Sequence, residues 1–124
     1  MTPESYNMQM ILEEEAALEK AKELFPQVQE HFNKKLIEAN RHHPNERVGV
    51  YFDQRDFLTN DTLVVKHLDK MLCKYIEAQG WLLHLSFNEF QSLCISRYYS
   101  LYPNTTYNYY LCKFLNYFFQ TRYN

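Results

Sequence analysis

From Met8 to Asn40 the apolar residues return at helical intervals: Ile11, Leu18, Phe25, Phe32 and Ala39 are spaced by seven, with Ala21 and Val28 between them. Such spacing also permits a coiled-coil seam, but packing against the core of the same chain is the preferred reading. Pro26 interrupts the run, and a residue before proline resists the α conformation. The pattern therefore predicts a kink or break at Phe25, with a second helix starting at Pro26. Asn40 through Arg47 reads as an exposed polar turn.

Val48-Gly49-Val50-Tyr51-Phe52 is short, β-branched and aromatic, as a buried strand is, and gives way to polar Asp53-Gln54-Arg55-Asp56. Thr59, Asn60 and Asp61 offer N-caps for a helix whose apolar face comprises Val64, Leu68, Met71, Leu72, Tyr75 and Ile76. Gly80 stands where a C-terminal stop belongs, and Trp81-Leu82-Leu83-His84-Leu85 reads as a second strand. Strand, helix and strand in that order predict a βαβ crossover with right-handed parallel pairing.

Ser86 and Glu89 have capping-box spacing, followed by Phe90, Leu93, Cys94, Arg97, Tyr98 and Leu101 on one helical face. Pro103-Asn104-Thr105 would end that helix and cap another, with Tyr107, Tyr110, Leu111, Phe114, Leu115 and Phe118 on a shared face. The expected fold is α+β and mostly helical: a kinked or broken N-terminal helix, a small βαβ unit and a C-terminal helical hairpin, in one domain spanning residues 1–124.

Charge refines this picture. The net charge of -2 and pI near 6.2 argue against a general polyanion binder. The near-neutral sum hides an acidic beginning, with six Glu and two Lys before Phe25, and a tail after Phe90 that has three bases and no acid. The 2 glycines rule against glycine-rich phosphate loops. Cys73, Cys94 and Cys112 form no C-x-x-C pair and favour a reducing compartment over a disulfide framework. No signal-peptide pattern or long apolar run is present, so a soluble cytoplasmic protein without a membrane partner is expected.

Candidate chemistry is sparse. The five histidines form no i, i+4 metal pair, the cysteines lack a reactive context, and no G-x-S-x-G occurs, so neither cofactor nor catalytic residue is expected. Asp53 and Asp56, with Asp61 and remote Glu89, leave a metal-dependent nuclease as a third reading, because ligands often sit beyond the C-terminal ends of parallel strands. Lys66, Lys70 and Lys74 align at i, i+4, i+8 and, with Arg41 and Arg47, form a candidate anion-binding set. Asp69 and Glu77 are spaced to pair with part of that stripe.

The aromatic residues are concentrated in one place. Eight Tyr and three Phe fall between Arg97 and Tyr123, more rings than two short helices need for their own packing. Tyr99, Tyr102, Tyr109, Lys113, Tyr117 and Tyr123 are accordingly the candidate partner-binding residues, since tyrosine gives large contact area at small rotamer entropy. The leading functional expectation is a non-enzymatic protein-interaction module that binds another protein or forms a homodimer. Its composition also fits phage or mobile-element accessory proteins that modulate a host enzyme. The alternative is a single-stranded nucleic-acid binder using the lysine stripe and exposed tyrosines.

Overall fold

The computed structural model describes residues 1–40, 47–53, 61–86 and 96–123, with side chains described except at 40, 53, 85, 86, 96–98, 116 and 118–123. In chain order the elements are α1 (Pro3–Asn40), β1 (Val48–Asp53), α2 (Thr62–Ala78), β2 (Trp81–Ser86), β3 (Ser96–Pro103) and α3 (Thr106–Tyr123). The α+β class and the helical majority are as expected, and the sheet is antiparallel with three strands.

α1 is one helix of 38 residues with Pro26 inside it, so the expected break does not occur. Proline removes the hydrogen bond to the Lys22 carbonyl, but Pro26 and Lys22 are both exposed, where water can satisfy that oxygen. On the opposite side Ala21, Val28 and Phe32 are buried and hold the helix on course. The N-terminus is capped reciprocally: the Ser5 N–H donates to Thr2 Oγ1 at 3.1 Å and the Thr2 N–H donates to Ser5 Oγ at 2.9 Å. Pro3 begins the helix, where its missing N–H costs nothing.

α2 begins as the sequence implies. Asp61 is its N-cap, accepting from the Leu63 N–H at 3.0 Å and the Val64 N–H at 3.4 Å. Gly80 follows the Gln79 C-cap with φ +94°, a left-handed conformation that favours glycine. α1 and α2 run in the same direction. Glu14, about a third of the way along α1, lies beside His67 near the start of α2, and Asn33 hydrogen-bonds Tyr75 at 2.9 Å further along both helices.

β1 and β2 do run parallel to each other, but they are not neighbours. β3 lies between them and pairs antiparallel with both, with Val50 opposite Tyr99 and His84 opposite Ser100. The expected parallel pairing is therefore replaced by a split crossover. Ser96–Pro103 also overturns the first helix of the expected hairpin across residues 96–101, while Phe90, Leu93 and Cys94 lie outside the described residues. Alternation explains the strand: Tyr99 and Leu101 enter the core, and Ser100 faces the other way.

The core is sealed between the sheet and the α1–α2 pair by Val50, Phe52, Tyr99 and Leu101 from strands and Val28, Phe32, Leu68, Leu72 and Ile76 from helices. Phe32 sits at its centre, 6.1 Å from the Phe52 ring and 5.6 Å from the Tyr99 ring. Within this apolar layer the Tyr99 hydroxyl donates to Asp69 Oδ1 at 2.6 Å. Asp69 is thus a buried acceptor on α2 and not a surface counter-ion for Lys66.

His31 lies edge-on to Phe52 at 5.3 Å. Partial burial, followed by Lys35 and Lys34, lowers its pKa below the ordinary 6.5, with Glu38 opposing. The unfolded chain binds this proton more readily, so the His31 contribution to stability is intact above about pH 6.5 and is lost as the pH falls through the folded value. Thermal melts at about pH 7.5 and about pH 5 should show a smaller acid-induced fall in Tm for His31→Gln than for the parent.

Candidate functional site

α3 starts where Thr105 caps it, with the Asn108 N–H donating to Thr105 Oγ1 at 3.1 Å. Its body rests on β2 and β3 through a narrow strip of residues, in which Cys112 is buried and Asn108, Leu111 and Leu115 are half-buried. At 100° per residue these four positions occupy one side of the helix. Tyr107, Tyr110, Phe114 and Tyr117 fall on the other, at i, i+3, i+7 and i+10, and are 75%, 64%, 65% and 69% exposed.

The face expected of α3 is therefore divided: Tyr107, Tyr110 and Phe114 point outward, Leu111 and Leu115 are half-buried toward the sheet, and the Phe118 side chain lies outside those described. Lys113 and Tyr109 flank the aromatic row and are exposed. The Tyr109 and Tyr110 rings meet edge to face at 5.4 Å, which braces the start of the row. Beside Tyr109 a shallow cleft of about 440 Å³ opens between α3 and β2, lined by Trp81, Leu82, Leu83, Tyr109, Cys112 and Lys113 among others. Burial raises the Cys112 thiol above its ordinary pKa of 9.0, so the cleft carries a small apolar group and not a thiolate nucleophile.

No protein-family model matches this chain, and no curated protein or solved structure matches it significantly.

Of the expected partner-binding residues, Tyr109, Lys113 and Tyr117 lie on the exposed part of α3. Tyr102 on β3 is half-buried, and the Tyr123 side chain lies outside those described. Tyr99, expected at the surface, belongs instead to the core: at 1% exposure and hydrogen-bonded to Asp69, it has no surface to offer. Tyr107, Tyr110 and Phe114 join the site in its place. The seven-residue steps from Tyr107 to Phe114 and from Tyr110 to Tyr117 were visible in the sequence, but periodic apolar residues are ordinarily read as the buried face.

Three members of the candidate anion-binding set share α2. Lys66, Lys70 and Lys74 are exposed along α2, and Arg47 is exposed just before β1. Arg41 lies outside the described residues, as do Asp56 and Glu89. Of the carboxylates in the nuclease reading, Asp61 is engaged as a helix cap, and the Asp53 side chain lies outside those described. Among the described residues no group of three His, Cys, Asp or Glu side chains could hold a metal ion.

Proposed function

We propose that this chain is a non-enzymatic protein-interaction module that receives an acidic amphipathic helix of a partner protein along α3. The observation that carries the reading is the outward row Tyr107, Tyr110, Phe114 and Tyr117. Alternating steps of three and four residues match the packing period of a second helix laid alongside. Four adjacent aromatic side chains in water are a costly surface for a monomer to keep, and aromatic residues are the usual anchors of protein interfaces. The partner's sign follows from charge: α3 contains no Asp or Glu, and Lys113 stands exposed beside the row. The adjoining cleft at Trp81 and Tyr109 offers a socket for one large side chain at the end of that helix.

No described helix is long and apolar enough to cross a membrane. A reducing cytoplasm suits the thiols of Cys73 and Cys112, and this supports a cytoplasmic setting.

The test uses two synthetic amphipathic helices of about 20 residues with identical leucine seams, one flanked by glutamate and one by lysine. The acidic peptide should bind, the basic one should bind at least tenfold more weakly, and Phe114→Glu should reduce acidic-peptide affinity at least tenfold. Equal binding of both peptides, or none, overturns the reading. Tight binding of a single-stranded oligonucleotide that falls steeply with salt and is lost in a Lys66→Ala/Lys70→Ala variant would replace it with the nucleic-acid alternative.

A further inference from the structure

We infer that the helix received by α3 is the first part of α1 from a second copy of this chain. The inference rests on α3 being a helix-binding face and identifies its occupant. α1 begins well before its first buried residue. Every residue from Met1 to Ala16 is exposed, and burial begins only at Ala17. The segment is therefore a helical arm carrying large apolar side chains in water: Tyr6, Met8, Met10, Ile11 and Leu12 are all exposed. One face of this arm gathers Met8, Ile11 and Leu12 and continues to half-buried Leu18.

Length, charge and chemistry agree. From Met8 to Leu18, and from Tyr107 to Tyr117, the distance along each helix is about 15 Å. Glu4 and Glu15 lie on the same face as Met8, Ile11 and Leu12, and Glu13 lies across from it, while Glu14 is turned to His67 of its own chain; α3 in contrast has no acid and exposes Lys113. Pairing two arms would set these glutamates against one another, and pairing two α3 helices would set lysine against lysine. Arm against α3 is the combination that removes both repulsions. Methionine thioethers and aliphatic tips lying on tyrosine and phenylalanine rings are favourable contacts in their own right.

Such a contact joins two different surfaces, so each copy presents one arm and one receiving face. Light scattering and sedimentation equilibrium on the full chain should show self-association at tens of micromolar. Ile11→Lys and Phe114→Glu, both at exposed positions, should each weaken it at least tenfold while leaving circular dichroism and Tm unchanged. An equimolar mixture of the two variants should recover a complex, because the intact arm of one meets the intact α3 of the other. A parent chain monomeric at about 100 μM, a Phe114→Glu variant that still self-associates, or a mixture that recovers nothing overturns the inference. Acidic-peptide binding to a monomeric parent would leave α3 as a helix-binding face with a different occupant. Absence of both would remove the two proposals together.

Discussion

Phe32→Ala is expected to lower the folding free energy by about 3–5 kcal/mol, a large part of the 5–15 kcal/mol typical of a domain. The side chain is buried and touches the rings of Phe52 and Tyr99, so it joins α1 to both β1 and β3. Truncation removes the apolar transfer energy and also leaves a cavity bounded by two rigid rings that cannot easily collapse into it. At roughly 4 °C per kcal/mol the melting temperature should fall by on the order of 12–20 °C. Ile37→Ala, on the exposed side of the same helix, is the control and should stay within about 0.5 kcal/mol of the parent. Urea titrations followed by circular dichroism measure both. A Phe32→Ala loss no larger than the control would mean that α1 is not packed as described.

Tyr99→Phe should cost about 1–3 kcal/mol although it removes one oxygen and no carbon. The phenol donates to Asp69 at 2.6 Å inside the core, and without it the carboxyl loses a donor where water is scarce. Removing both groups, as Tyr99→Phe with Asp69→Leu, should destabilise by less than the sum of the single changes, because no orphaned acceptor remains. A double-mutant cycle should give a coupling on the order of 1–3 kcal/mol, and additivity would show that the contact is energetically idle.

How legible these features were in the sequence depends on how local their causes are. α2 was readable at both ends because Asp61, the 3.6-residue apolar face and Gly80 all act within a few residues of one another. β1 and β2 were readable as short apolar runs. The β3 segment fitted two periods at once: Cys94, Arg97 and Leu101 lie at helical spacing, whereas Tyr99 and Leu101 lie two apart. Pairing with β1, some fifty residues earlier, and with β2 decided between them, and such long-range pairing leaves little local trace. The shared direction of β1 and β2 could be inferred; the strand inserted between them could not.

For the candidate site the sequence located the region but not the side. It placed the aromatic excess after Arg97, yet assigned Tyr99 to the surface and Tyr107, Tyr110 and Phe114 to a packed face. Helical periodicity says which residues share a face. It does not say which edge of a broad apolar face is turned inward: Leu111 and Leu115, read together with Tyr107, Tyr110 and Phe114, turn toward the sheet beside Asn108 and Cys112 and leave the rings outside. Pro26 illustrates the same limit, since its local preference yields to the flanking buried residues of α1.

β3 is the middle strand of the sheet but the last of the three along the chain. During synthesis α1, β1, α2 and β2 all leave the ribosome before their common hydrogen-bonding partner has been made. Until Ser96–Pro103 emerges neither β1 nor β2 has its neighbour in the sheet, and the apolar side of the α1–α2 pair lacks the cover that Tyr99 and Leu101 supply. The order of residues thus postpones closure of the core to a late moment of translation, and the growing chain must carry its stickiest surface uncovered until then.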